Sequence, residues 1–356
     1  MSDPTPHFTP LDTSSDPREI RLQEIRRQAE SATRIPLPAV ESPDGSRVPA
    51  SPETGYYGMP LLKRPAWTVE IPLYFFAGGA AGAAAIMASV AQLSGADPRL
   101  IRDARYIAAI GGAVSPALLI ADLGMPSRFL NMLRVFKVQS PMSVGSWTLV
   151  AFSSTAAGAA FFSLLNQRTK MFSPIRVLES ASQFLSAITG AVLSTYTGVL
   201  IGATAIPVWN QNASLLPIHF GISGMGAATS LLELRGHNTL ALNAIGITGA
   251  VGETLIGASI ELRKNPALKP LKSGRSGWLI RLGGLLSGPL PLLLRLLALG
   301  GNQKRNGRLR KVAAVSTVAG SLVTRFAWIQ AGGASAKDPA IPLQLPEAGQ
   351  ILRRGV

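Results

Sequence analysis

Long apolar stretches separated by short charged segments make up the chain after about residue 65. A helix needs about 20 mostly apolar residues to cross the hydrocarbon core of a membrane. Strands of a membrane β-barrel would instead alternate over about ten residues, whereas these stretches are longer and continuous. The pattern therefore predicts eight membrane helices, at residues 70–93, 104–123, 144–165, 177–203, 213–234, 239–261, 279–299 and 311–330.

Small residues are dense in these stretches, and the first predicted helix contains the run Gly78–Ala85. Small side chains allow helix backbones to approach closely in lipid. We therefore expect an all-α fold, a polytopic membrane protein with about eight transmembrane helices in a tight bundle over residues 66–331. The polar, Pro-rich residues 1–65 are expected to form a disordered N-terminal tail, and residues 332–356 a C-terminal tail.

The charge distribution also indicates a membrane protein. Charged residues make up only 15% of the chain, against about 25% in soluble proteins. The formal net charge is +15, and the Lys and Arg residues lie between the apolar stretches. Membrane lipids with anionic headgroups are therefore the expected partner of these loops, and nucleic acid is not.

Resident redox cofactors lack ligands in this sequence. The chain has no cysteine, which removes the usual thiolate ligands of an iron–sulfur cluster. A di-haem cytochrome b subunit needs paired axial histidines, but His7, His219 and His237 lie in a tail, within a helix and at a helix end. We therefore expect no haem, no iron–sulfur cluster and no metal site in this chain.

Titratable side chains within membrane helices are costly, and they commonly mark functional sites. With eight spans both termini lie on one side, which we call the near face. At a rise of 1.5 Å per residue, helix order places several polar and aromatic residues in one layer close to that face. They are Glu70, Tyr74, Asp122, Ser143, Ser146, Trp147, Tyr196, His219 and Glu253.

Each of these residues also has a structural explanation. Trp147, like Trp67, fits an interfacial aromatic belt, and Glu70 fits a charge at a helix N-terminus. His219 and Tyr196 are compatible with ordinary hydrogen-bonded buried groups, and Glu253 with an ion pair to Arg325. Asp122 and Glu253 are the acids least easily explained in this way.

The segment after the second predicted helix is the most informative stretch. Arg128, Arg134 and Lys137 alternate with apolar residues at helical spacing, which predicts an amphipathic interfacial helix from Pro126 to Pro141. The sequence Pro-Met-Ser-Val-Gly-Ser-Trp then leads from Pro141 into the third helix.

This stretch resembles the signature of the NrfD / polysulfide reductase membrane-subunit family. The similar features are the acid Asp122 at the end of the second helix, the turn Gly-Met-Pro-Ser-Arg-Phe at 124–129, and the 141–147 sequence. The opening helix, Trp67 to Gly82, is similar as well. The resemblance is dense over about residues 65–165, and beyond them it rests on helix count and spacing.

The resemblance implies a multi-pass subunit of the bacterial inner membrane that binds menaquinone or ubiquinone non-covalently and is not catalytic alone. Electrons would pass between this quinone and a ferredoxin-like iron–sulfur subunit docked at the near face, usually the periplasmic one, and onward to a catalytic molybdenum or cytochrome subunit. The family's second-helix acid corresponds to Asp122, its loop arginine to Arg128, and its fourth-helix tyrosine to Tyr196.

The residues themselves suit this chemistry. A quinol site needs an apolar slot, hydrogen-bond donors for the ring oxygens and a route for protons. We expect quinone contacts from Tyr74, Asp122, Trp147, Tyr196 and His219, and proton transfer by Glu70, Asp122 and Glu253. Partner docking is expected at Arg128, Arg134 and Lys137.

Two other functions fit the same sequence. A secondary transporter would use buried acids and helices interrupted by Gly or Pro, although the acids here gather near one face and no inverted repeat is visible. A purely structural membrane anchor would hold a redox partner without touching quinone. It would tolerate the loss of Asp122, Tyr196 and His219.

Overall fold

The computed structural model describes residues 62–63, 65–169, 173–300 and 302–337, together with two short strands. These strands, β1 (Val40–Glu41) and β2 (Arg47–Val48), belong to a separate N-terminal unit and pair antiparallel, with Val40 opposite Val48. The disordered tail predicted for residues 1–65 otherwise lies almost entirely outside the described residues. The same holds for most of the tail predicted for residues 332–356.

Nine helices form eight membrane spans in the described part of the second unit. They are α1 (Glu70–Leu93), α2 (Pro98–Asp122), α3 (Pro141–Thr169), α4 (Ser173–Gly202), α5 (Leu215–Leu234), α6 (Leu240–Leu262), α7 (Gly274–Ser287), α8 (Pro289–Leu297) and α9 (Gln303–Lys337). Together α7 and α8 make the seventh span. The predicted all-α polytopic bundle is confirmed for this unit.

Successive spans run in opposite directions, so their ends form two groups. The near face carries the beginnings of α1, α3, α5 and α7 and the ends of α2, α4, α6 and α9. The far face carries the opposite ends. Span α2 begins earlier than predicted because Asp97 caps it, accepting a hydrogen bond from the backbone N–H of Arg99 at 2.9 Å, with Pro98 in the first turn.

Helix α1 lies at the centre of the bundle and packs through glycines. A Cβ atom at Gly82 would lie 2.3 Å from the carbonyl oxygen of Gly190 in α4, and one at Gly224 in α5 would lie 2.8 Å from the carbonyl oxygen of Gly79. Any larger residue would therefore separate these helices. Close packing of small residues is what holds helices together where lipid supplies no hydrophobic driving force.

The seventh span is broken between Ser287 and Pro289. Pro289 lacks the N–H that a continuous helix would donate, and a Cβ atom at Gly288 would meet Thr254 of α6. The hydroxyl of Ser316 in α9 donates to the carbonyl of Leu286 at 2.6 Å. Neighbouring side chains thus satisfy backbone groups at the break, as a membrane interior requires.

The amphipathic helix predicted from Pro126 to Pro141 is wrong in length. Only Arg128–Met132 is helical, and the following residues form turns. The hydroxyl of Ser143 donates to the carbonyl of Val135 at 3.0 Å and accepts from the backbone N–H of Lys137 at 3.0 Å. These bonds hold the segment against the first turn of α3 and replace the backbone bonds of a longer helix.

Candidate functional site

Asp122 ties the end of α2 to the beginning of α1. Its Oδ1 accepts hydrogen bonds from the backbone N–H of Thr68, at 3.0 Å, and from the Thr68 hydroxyl. Its Oδ2 has no hydrogen-bond partner among the described residues. Glu70 is the first residue of α1 and is partly exposed. The structure thus places both predicted near-face acids beside Thr68, with one Asp122 oxygen available.

Ser115 and Tyr74 lie deeper, near Gly78, where α1, α2 and α4 meet. A Cβ atom at Gly78 would lie 3.4 Å from Ser115 Oγ, 3.6 Å from the ring of Tyr74 and 3.7 Å from Leu193. Ser115 is fully buried and makes no hydrogen bond to the described part of the chain. The Tyr74 hydroxyl likewise has no partner among the residues described. Unused donors inside a bundle are rare and indicate a ligand or water site.

Ser115 was not among the predicted site residues, although the neighbouring Pro116 is a sequence signal for this position. Pro116 interrupts α2 and removes one backbone N–H, which leaves the carbonyl of Gly112 free. The hydroxyl of Ser153 in α3 donates to that carbonyl at 2.6 Å. A proline in the last third of the second helix therefore marks a position where polar side chains from neighbouring helices are expected.

Tyr196 is buried and packs on the beginning of α3. Its hydroxyl donates to the carbonyl of Pro141, and a Cβ atom at Gly145 would lie 2.0 Å from its Cζ. The donor that the sequence assigned to a quinone oxygen is therefore engaged with the backbone in this structure. Gly145 provides the space that the ring occupies.

Trp147 lies on the outer surface of the bundle. Its side chain is 39% exposed and contacts the edge of Phe136, with ring centroids 6.1 Å apart. This position resembles that of an interfacial belt aromatic. It separates Trp147 from the buried histidine His219 with which the sequence grouped it.

His219 and Glu253 form a buried pair between α5 and α6. His219 Nε2 lies 3.2 Å from Glu253 Oε2, and the indole N–H of Trp328 donates to His219 Nδ1 at 3.3 Å. An indole N–H is only a donor, so Nδ1 must be unprotonated and Nε2 carries the hydrogen. The geometry therefore corresponds to a neutral imidazole that donates to a carboxylate.

Glu253 has further capacity for hydrogen bonds. Its Oε2 also accepts from the hydroxyl of Ser287, at 3.0 Å, next to the break in the seventh span. Its Oε1 is buried and has no partner in the described structure. Glu253 lies about 13 Å along α6 from the near-face end, which is close to the middle of a 30 Å hydrocarbon layer.

Arg325 of α9 is also buried in this region but does not form the ion pair with Glu253 that the sequence suggested. Its Nη2 donates to the carbonyl of Phe220 at 2.9 Å, and its guanidinium carbon lies 3.7 Å from the centre of the Phe220 ring. Its Nε and Nη1 have no partner among the described groups. A cation–π contact, one carbonyl and the nearby charge of Glu253, without direct contact, therefore stabilise this cation.

Aromatic residues connect the near face with the His219 pair. Trp67 stacks on Trp209 with ring centroids 5.2 Å apart, and the Trp209 indole donates to the carbonyl of Trp328 at 2.8 Å. Phe75 lies between Trp67 and Phe220, at 6.2 and 6.0 Å. Trp209 and Trp328 were not among the predicted residues, because a buried tryptophan and an interfacial one look the same in a sequence.

The residues predicted to dock a partner remain at the surface. Arg128, Arg134 and Lys137 are exposed and have no ion-pair partner within the described ranges. They lie after the near-face end of α2. The described residues contain no cluster of three His, Cys, Asp or Glu side chains that could hold a metal ion.

The comparison with known families agrees with this architecture. Residues 61–236, about half of the chain, match the family described as Polysulphide reductase, NrfD, and this part of the chain belongs to that family. The resemblance found in the sequence is thereby confirmed. No curated protein sequence matches the chain. Family members are membrane subunits of respiratory oxidoreductases, so this multi-pass chain is a membrane subunit of that class.

Proposed function

We propose that this chain is the quinone-binding subunit of a multisubunit respiratory oxidoreductase in the bacterial inner membrane. One observation carries the proposal. Within the family-matched region, the Ser115 hydroxyl is buried without a partner among the described residues. The Tyr74 hydroxyl and one oxygen of Asp122 also make no hydrogen bond to the described residues, and all three groups lie toward the near face. The other predicted groups either have partners in this structure or lie on its outer surface.

These side chains fit a quinone. Menaquinone or ubiquinone would supply two-electron, two-proton chemistry when bound. Tyr74 and Ser115 provide hydroxyl donors for ring oxygens, and the surrounding helices provide an apolar environment. Asp122 is held by Thr68 through one oxygen, so its other oxygen has a fixed position from which to accept a proton. Tyr196 would position the beginning of α3 and supply a ring surface.

A second proton-holding pair lies deeper in the bundle. The neutral His219 imidazole donates to Glu253, and Glu253 retains one unpaired oxygen. A proton can be held on this oxygen, since no described group donates to it. We therefore assign Glu253 to proton transfer, with His219 as the residue that positions its carboxylate, and Glu70 to proton exchange at the near face.

Electron exchange requires a partner at the same face. We propose that a ferredoxin-like iron–sulfur subunit docks on Arg128, Arg134 and Lys137, and that a molybdenum or cytochrome subunit completes the complex. The exposed cations at this position would attract an acidic surface and accelerate association, an effect that salt weakens.

The test is quinol oxidation by the intact complex carrying Asp122→Asn or Tyr74→Phe. Asp122→Asn is expected to lower turnover by about 100-fold or more, because it removes the proton acceptor. Tyr74→Phe removes one hydroxyl and is expected to raise the Michaelis constant for quinol about tenfold. The matched control is Tyr106→Phe, which removes a tyrosine hydroxyl from the far-face half of α2.

Wild-type kinetics in both near-face variants would contradict the site, and would support the alternative of a structural anchor. A secondary transporter is the second alternative, favoured by the broken seventh span beside Glu253. Substrate uptake by the purified chain in liposomes would support that alternative.

A further inference from the structure

The far-face half of the bundle contains a large apolar cavity that the quinone proposal does not use. Its volume is about 600 Å³, and α1, α2, α5 and α6 line it. The lining includes Ile86, Leu100, Met225 and Ile245. Ile86 lies about 10 Å along α1 from the far-face end, so the cavity extends a substantial distance into the membrane. Ligand sites commonly have volumes of about 300–1,000 Å³.

A cluster of charged residues lies at the far-face end of this cavity. The buried Asp103 lies 2.9 Å from the Nε2 of His237, which lines the cavity, and 3.4 Å from two nitrogens of Arg235. Arg102 approaches the same carboxylate, at 3.8 Å. A single buried acid therefore holds Arg235 and Arg102 close to His237 in the cavity wall, and Arg102 also lines a second pocket with Arg105 and Glu179.

These arginines keep unused donors. Arg235 contacts Asp103 through Nε and Nη2, and its Nη1 has no partner among the described residues. Its side chain is 62% exposed, and that of Arg102 is 39% exposed. Arg99 is a third cation at this end, whereas the acid Asp97 serves as the cap of α2. Asp97 and His237 line the cavity itself, and Arg235, two residues before His237, keeps an exposed donor available to an anion.

We infer that this cavity binds one anionic phospholipid of the far leaflet. The phosphate would contact Arg102 and Arg235, and an acyl chain would occupy the apolar slot between α1 and α5. Basic pockets between membrane helices favour anionic headgroups because the charges are partly shielded from water. A quinone fits less well here, since its headgroup is neutral. The inference is independent of the near-face quinone site.

Native mass spectrometry of the full-length protein in mild detergent tests the inference. The protein is mixed with equal amounts of palmitoyl-oleoyl phosphatidylglycerol and palmitoyl-oleoyl phosphatidylcholine, which differ only in headgroup. We expect one retained phosphatidylglycerol adduct. Joint replacement Arg102→Gln and Arg235→Gln should weaken that adduct about tenfold. The control Arg308→Gln with Lys311→Gln removes the same charge from exposed far-face positions and should leave the adduct intact.

A second pair of variants tests binding in the cavity without changing the charge of the protein. Ala241 and Ala244 are both exposed on α6, but only Ala241 lines the cavity. Ala241→Trp should abolish the adduct, and Ala244→Trp should retain it. Equal binding of the two lipids, an adduct with the mass of a quinone, or equal loss in both tryptophan variants would overturn the inference.

Discussion

A buried ion pair holds the second half of the broken seventh span to the rest of the bundle. Arg295 of α8 and Glu233 of α5 form two hydrogen bonds of 2.7 Å, and their side chains are 0% and 1% exposed. Gly246 of α6 provides the space, because a Cβ atom there would lie 2.3 Å from the guanidinium carbon. We predict that either single replacement, Glu233→Gln or Arg295→Met, destabilises the protein severely.

The size of this destabilisation follows from the burial of both side chains. Removing one partner leaves an uncompensated charge in an apolar interior, which costs about 3–5 kcal/mol. The double replacement removes both charges, and it is therefore expected to cost clearly less than the sum of the single replacements. The coupling between the two residues should reach about 2 kcal/mol.

The assay is reversible unfolding in mixed detergent micelles, followed by circular dichroism as the fraction of denaturing detergent increases. Arg281 and Glu261 provide the control, because they form a pair of 2.6 Å that is 58% and 43% exposed. Removing either of these should cost less than about 1 kcal/mol. If the buried and exposed replacements had equal effects, or if the two buried replacements were additive, the argument from burial would be refuted.

Two further predictions concern the near-face half. Gly145→Ala places a methyl group 2.0 Å from Tyr196 Cζ and is expected to destabilise the protein by about 1–3 kcal/mol. The control Gly257→Ala, where the added methyl group has no atom within 4 Å, should be nearly neutral. Thermal unfolding of the two variants measures the difference. Trp209→Phe removes the indole hydrogen bond to the carbonyl of Trp328, which keeps its backbone bond within α9, and is expected to cost about 0.5–1.5 kcal/mol. Equal melting temperatures for Trp209→Phe and the exposed-site control Trp278→Phe would show that this hydrogen bond contributes nothing.

Helix number and position were readable from the sequence because the membrane imposes a length on every span. Eight apolar stretches of sufficient length gave the eight spans of the structure. The length of the interfacial helix was not readable. Its apolar and basic residues have helical spacing, but the hydroxyl of Ser143 binds the backbone of the same segment. A side chain beyond the segment decided its conformation.

The candidate site was only partly readable. Helix order correctly brought His219 and Glu253 together, but Glu253 lies close to the middle of the membrane and not in the layer near the face that was predicted for it. Counting gives depth but not the direction in which a side chain points. Trp147 was therefore grouped with the buried residues although it lies on the outer surface, and the buried Ser115 was overlooked.

The sequence by itself determined that this protein is a helical membrane protein of the NrfD family, because apolar length and a local signature are properties of short segments. The tertiary structure alone decided which polar groups are paired. Asp122 is bound through one oxygen, Arg295 is neutralised by Glu233, and Ser115 keeps an unused buried hydroxyl. Those differences arise from contacts between helices that are distant in the chain. Such contacts depend on how each helix is rotated about its own axis. The spacing of residues along one helix does not fix that rotation.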